Sequence, residues 1–257
     1  MSVQTQRVQL EVCVGSVADL LAAAAAGADR VELCGGLEVG GLTPSAGLVE
    51  TAIAASRLPV VAMLRPRAGG FCYDRHEFAA MLRDAQRFVE LGASGIVFGV
   101  LDRQGRVDAA RCRELVQAAG GREAVFHRAF DFVVDRLAAL ETLIEAGCTR
   151  VLSSGGRATA GEGAGALAAM VRHAGERLRV MPGGGINAAN VAELVATTGC
   201  AEVHIGASTP ADDGSTGGAS IELYDGRFAR GSAHRVVEGD AVAAVIAALG
   251  GATGRKV

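Results

Sequence analysis

One short phrase recurs along this chain and narrows the folds open to it. A helix-like stretch ends in glycine, two or three residues follow, and a β-rich run begins. It reads Gly27-Ala28-Asp29-Arg30-Val31, then Gly92-Ala93-Ser94-Gly95-Ile96, then Gly147-Cys148-Thr149-Arg150-Val151, then Gly199-Cys200-Ala201-Glu202-Val203. Glycine just past a helix closes it in the left-handed conformation at little steric cost. A strand that starts at once fits the short connections of alternating α/β units. Glycine is abundant, at 36 of 257 residues, without a collagen period, so it is expected in many tight turns.

Eight strands are predicted: Gln9–Val14, Arg30–Cys34, Pro59–Arg65, Gly95–Leu101, Ala124–Ala129, Arg150–Ser153, Arg179–Pro182 and Glu202–Gly206. Helical stretches lie between them. In Asp74–Leu91, Phe78, Met81, Leu82, Ala85, Phe88 and Val89 share one stripe, the spacing of an amphipathic helix. Asp135–Ala146 is a second, with Leu137, Leu140, Leu143 and Ile144 inward, and Asn187 is placed to cap a third that runs to about Thr198. Alternation of strand and helix implies a parallel sheet with right-handed crossovers. The fold class expected is α/β, a single (β/α)8 TIM-type barrel, with a doubly wound open sheet as the runner-up. One domain is expected over 1–257: a core at about 9–208, an extended Gly/Ser-rich loop at 209–238 after the eighth strand, and a C-terminal helix at 240–249.

Formal charge is −3, from 25 basic and 28 acidic side chains. No basic field attracts nucleic acid. The longest apolar run, Leu20–Ala28, is too short to cross a bilayer, so no membrane partner is expected. The opening residues are polar and lack a signal core, so a cytosolic location is expected. Cysteines 13, 34, 72, 112, 148 and 200 are dispersed and never form C-x-x-C. That distribution suits reduced thiols rather than a disulfide frame or zinc finger.

In such a barrel the chemistry sits where strands end, and alternation along each strand decides which side chains share a face. Glu11 and Cys13 share one, as do Glu32 and Cys34, Met63, Arg65 and Arg67, Val125 and His127, and Glu202 and His204. The opposite faces carry Leu10, Val12, Val31, Leu33, Phe126 and Val203, which suit packing against helices. The polar set is therefore read as inward. It is either a structural ion-pair layer or a site, because buried charges must be paired or meet a ligand.

Two loops suit an anion. Met181-Pro182-Gly183-Gly184-Gly185-Ile186-Asn187 follows the seventh strand and is expected to open a helix, and Ser208 follows the eighth. Phosphate sites in these barrels are often built there from backbone N–H groups. The bland reading is that Gly183, Gly184 and Gly185 only permit a tight turn. After the third strand, Arg65-Pro66-Arg67 puts two guanidiniums on a proline-stiffened loop. The pair suits a carboxylate or phosphate, the bland reading being that one arginine answers Glu11 or Glu32; both hold if Arg65 pairs and Arg67 faces ligand.

Taken together these segments resemble the CutC family, described as copper homeostasis proteins. The resembling pieces are Leu10-Glu11-Val12-Cys13, Ala28-Asp29-Arg30-Val31-Glu32-Leu33-Cys34, Gly40-Gly41-Leu42-Thr43-Pro44-Ser45, Arg65-Pro66-Arg67, Phe71-Cys72-Tyr73, Phe126-His127-Arg128-Ala129-Phe130-Asp131, Met181-Pro182-Gly183-Gly184-Gly185-Ile186 and Glu202-Val203-His204. They keep one order over roughly 9–208. Ala68 and Gly70 depart from the family's usual Arg-Pro-Arg-Gly-Gly-Asp, Ser153 stands where Thr is usual, and residues 209–235 match poorly. The resemblance implies a TIM-type barrel, cytoplasmic location, homo-oligomeric assembly and a role in copper handling.

Two ligand classes follow. Cu(I) is soft and prefers sulfur. Cys13 and Cys34 lie on consecutive strands, each two residues after an inward glutamate, so their sulfurs converge if register allows, and they resemble positions proposed for Cu(I) in the family. Cys72 is an additional ligand candidate. Against this, free cysteine is often merely buried. The rival is an enzyme with isomerase- or lyase-like acid–base chemistry on a small anionic or phosphorylated metabolite. There Glu11, Glu32, Arg65 and His127 act, Arg128 or Asp131 orients His127, and Arg67, Gly183, Gly184, Gly185 and Ser208 hold the anion. A lysine Schiff base is excluded, since Lys256 is the only lysine. No organic cofactor is expected.

Overall fold

A computed structural model of the chain describes residues 7–212, 215 and 233–251. Eight strands run β1 Gln9–Val14, β2 Arg30–Leu33, β3 Val60–Leu64, β4 Gly95–Phe98, β5 Glu123–Phe126, β6 Arg150–Ser153, β7 Arg179–Pro182 and β8 Glu202–Ile205. The helices are α1 Val17–Ala26, α2 Ala46–Ala55, α3 Arg75–Leu91, α4 Ala109–Ala118, α5 Arg136–Ala146, α6 Ala164–Ala174, α7 Val191–Thr198 and α8 Gly239–Gly251. Strand order is β7-β6-β5-β4-β3-β2-β1-β8, all parallel. A parallel bridge from Gly183 to His204 brings the two ends of that order together. The result is a nearly closed (β/α)8 barrel.

The recurring glycines do what their spacing implies. Gly27, Gly92, Gly147 and Gly199 end α1, α3, α5 and α7 with φ between 69° and 100°. N-termini are fixed by side chains: Asp74 caps α3 in a reciprocal box with Glu77, and Asp135 caps α5. Outward strand residues Leu10, Val12, Val31, Leu33, Phe98 and Phe126 are fully buried against the helices. Inside the barrel Cys34, Val61, Met63, Val97 and Val125 form a separate small cluster, with Cys13 and Leu37 packed on it.

Four expectations change. The fifth strand stops at Phe126, because His127 N-caps a 3-10 turn over Arg128–Phe132. The fourth strand likewise stops at Phe98. The seventh loop does not open directly into a helix, and Asn187 does not cap one: Asn187 Oδ1 accepts from Ala189 N–H, Asn190 Oδ1 accepts from Asn187 N–H, and α7 starts at Val191. Finally, the stretch read as loop carries strand at both ends, where β9 Ser208–Asp212 and β10 Ala233–Val237 pair antiparallel. Buried Asp19 on α1 accepts from Val237 N–H at 2.7 Å and ties that ribbon to the barrel. Residues 213–214 and 216–232, the rest of the expected loop, lie outside the described residues. Among the described residues, no helix is long and apolar enough to cross a membrane.

Candidate functional site

The barrel interior carries two charged layers. The lower is built from the first residues of five strands: Arg30, Glu123, Arg150, Arg179 and Glu202, with Glu11 from β1. Arg30 pairs with Glu11 and lies 2.9 Å from Glu202. Arg150, with no exposed surface, pairs with Glu123 and donates to Glu202 at 2.5 Å. Arg179 reaches Glu202 at 3.2 Å. Burial opposes charge on Glu202, but Arg150 and Arg30 outweigh it and lower its pKa. Arg30 and Arg150 escaped the strand-by-strand reading, although each stands two residues before an inward position, Glu32 and Leu152.

Above this layer, at the strand exits, lies a cavity of ≈ 530 Å3. Residues that line it include Cys13, Glu32, Met63, Arg65, Phe71, His127, Arg128, Leu152, His204, Ser208 and Arg235. On one side the Cys13 and Cys34 sulfurs are 3.9 Å apart, and Cys34 Sγ is 3.6 Å from Glu32 Oε2. One donor atom each from Cys13, Glu32 and His204 lies within 4.8 Å of the others. Parallel pairing of β1 with β2 sets Cys13 opposite Glu32, so Cys34 lies one diagonal step further on the same face. Two sulfurs held on one tetrahedral metal at about 2.3 Å lie about 3.8 Å apart, which the pair already matches.

Burial opposes a charge on His204, but Cys13, Glu11 and Glu32 outweigh it and raise its pKa well above the ordinary value. The hydrogen bond with Cys34 overcomes burial and, with His204, brings the Cys13 thiol down to about 5. The same bond and burial push Cys34 well up. Burial, reinforced by Cys13, raises Glu32. His204 Nδ1 meets Glu11 Oε1 at 2.8 Å, which leaves Nε2 facing Glu32 at 3.9 Å. A carboxylate on the far nitrogen of a metal-binding imidazole is the usual way such a ring is oriented. Glu11 itself is opposed by burial, yet His204 and Arg30 hold it at about 2. It does not line the cavity.

The other side is built from Arg65 and His127. Arg65 answers neither glutamate and donates to the carbonyls of Val39, Gly41 and Gly69. His127 Nδ1 accepts from Ala129 N–H at 3.1 Å. Its ring lies against Gly99, where any Cβ would collide with it. Burial and the Arg65 charge press its pKa to about 3. Asp131 is not its orienting partner. That carboxylate is consumed by Arg128, Ser153, Ser154 and Gly156, and through Arg128 it shapes the rim.

The residues read as anion-binding separate. Arg67 folds back on Glu77 at 2.5 Å and on the carbonyls of Gly70 and Cys72, away from the cavity. Gly183 N–H is spent on Ser153 O. Gly184, Gly185 and Ser208 do line the cavity, and Ser208 Oγ accepts from Arg235 at 2.9 Å. Cys72 is exposed and outside it.

Comparison with known proteins follows the same segments. The CutC family model matches residues 8–209. A family protein named CutC from Xanthomonas campestris pv. campestris (strain B100) is 49% identical over 201 residues, 78% of this chain and 84% of its own length. One from Treponema denticola is 44% identical over 211 residues, 82% of this chain and 86% of its own. A crystal structure described as a candidate copper homeostasis protein CutC, from Streptococcus agalactiae, superposes with a TM-score of 0.73 at 33% identity, covering 77% of this chain and 98% of that one. The matched span holds every strand of the barrel and both sides of its mouth, and the chain belongs to the CutC family.

Proposed function

We propose that the chain binds Cu(I) through Cys13 and Cys34, with the His204 imidazole beside them, as part of copper handling in the cytosol. The observation that carries this reading is the pair of sulfurs 3.9 Å apart next to an imidazole whose other nitrogen is held by Glu11. Two sulfurs and one imidazole favour a soft ion over the hard cations that oxygen ligands select. The lowered Cys13 pKa supplies the thiolate that metal binding requires. The copper homeostasis description of the Streptococcus agalactiae relative points the same way. Glu32 shares the donor cluster with Cys13 and His204.

Acid–base catalysis by Glu11, Glu32, Arg65 and His127 has less support. Glu11 is engaged by Arg30 and His204 rather than by the cavity, and Arg65 is spent largely on backbone carbonyls.

Competition of the reduced protein against a chromophoric Cu(I) chelator tests the proposal. The wild type should withdraw one equivalent. Cys13→Ser with Cys34→Ser should weaken binding at least 100-fold, about 2.7 kcal/mol. Unchanged affinity in the double variant would remove the thiols from the site.

A further inference from the structure

The cavity is much larger than an ion needs. At ≈ 530 Å3 it has the size of a pocket for a small organic molecule, and the sulfur cluster occupies only one side. Four buried polar side-chain atoms lack a hydrogen-bond partner among the described residues: Glu32 Oε1, Arg65 Nε, Tyr73 Oη and His127 Nε2. Three of those four residues line the cavity. Leaving such groups unpaired is costly, so their convergence on one space points to a ligand.

The chemistry of that ligand follows from the donors. Because His127 Nδ1 accepts a backbone N–H, the ring proton sits on Nε2, which is therefore a donor without an acceptor. His127 is 4% exposed and Arg65 8%. Both present N–H groups, so the ligand must offer oxygen acceptors. Arg65, Arg128 and Arg235 line the cavity, against one carboxyl residue, Glu32. The field therefore favours a negative ligand. Much of the wall is apolar, with Met63, Phe71 and Leu152. A phosphate dianion brings more oxygens and charge than two orphaned donors satisfy, and would bury the remainder unpaired.

We propose that the mouth of the barrel binds a small organic carboxylate with an apolar body, its carboxylate received by His127 Nε2–H and the Arg65 guanidinium. Phe71 covers both groups, with its ring centroid 5.1 Å from that of His127 and 5.4 Å from Arg65 Cζ. Binding turns Phe71 aside, and the apolar body of the ligand packs in its place. The proposal stands apart from the copper reading, because it uses His127 and Arg65 rather than Cys13, Cys34 and His204.

The test is a benzoate titration of reduced, metal-free protein, followed by NMR on the histidine Nε2–H of His127. Saturable downfield movement of that resonance is expected, with affinity at least tenfold above inorganic phosphate and benzyl alcohol. His127→Phe should lower benzoate affinity at least tenfold while leaving Cu(I) binding as in the wild type. An unmoved His127 resonance in the wild type would overturn the proposal without recourse to a variant. So would equal affinity for phosphate, or full benzoate affinity in a folded His127→Phe protein. A failed copper titration leaves these outcomes untouched.

Discussion

At the entrance of the barrel every guanidinium nitrogen of Arg150 meets a carboxylate, on Glu123 or Glu202. At the exit Glu32 Oε1 and His127 Nε2 are also buried and have no hydrogen-bond partner among the described residues. The same strands supply both layers, so burial alone does not separate them. Pairing does. A buried ion network stays because removing one member strands the others, and a network closed on itself has little to offer a ligand. Unpaired groups around a cavity are costly unless something else completes them. We therefore read the lower layer as structural and the upper one as the candidate site, with Glu11 touching both through Arg30 and His204.

Arg150→Met should cut most deeply, because it leaves Glu123 and Glu202 short of a cation. A loss of about 3–5 kcal/mol is expected in denaturant unfolding, with Cu(I) affinity of the folded fraction unchanged. A loss below about 1 kcal/mol would erase the distinction between the layers.

Glu11→Gln sharpens the boundary. It removes a partner of Arg30 and loosens the orientation of His204, so both properties should move. Cu(I) affinity should fall about 10–100-fold, and stability by about 1–3 kcal/mol, read by chelator competition and by unfolding. A change in stability alone would place Glu11 wholly in the lower layer.

His127 tests the comparison through pH. Its folded pKa of about 3 lies below the ordinary 6.5, so the unfolded chain takes up the proton first. Its contribution is fully present above about pH 6.5 and is lost as pH falls toward 3, by at most about 1.4 kcal/mol per pH unit. Glu11 and Cys13 carry the same sign. The informative quantity is therefore the difference between the wild type and His127→Phe, which should shrink as pH falls from 6.5. A difference that stays constant would deny that the ring is held neutral.

The barrel was legible in the sequence because helix ends and strand starts share one glycine-led phrase, and β6 and β7 occupy the expected residues. The misses have local causes. A histidine that caps its own 3-10 turn hides the end of β5, and an Asx turn at Asn187 delays α7. The ribbon of β9 and β10 depends on pairing across more than twenty residues, for which no local pattern speaks. Parity placed Cys13, Glu32, Cys34 and His204 on inward faces, yet passed over Arg30 and Arg150. A charge at the first residue of a strand reads as the end of a loop. Partners were the least legible. Nothing local says that Arg65 answers carbonyls on the Gly36–Gly41 turn, or that Arg67 turns back to Glu77.

X-ray absorption at the copper edge of the Cu(I)-loaded protein addresses the division between the layers most directly. The account predicts two sulfur scatterers and an imidazole nitrogen around the metal, with the sulfur signal lost in the Cys13→Ser, Cys34→Ser protein. A shell of nitrogen and oxygen alone, or one unaltered by those substitutions, would contradict it.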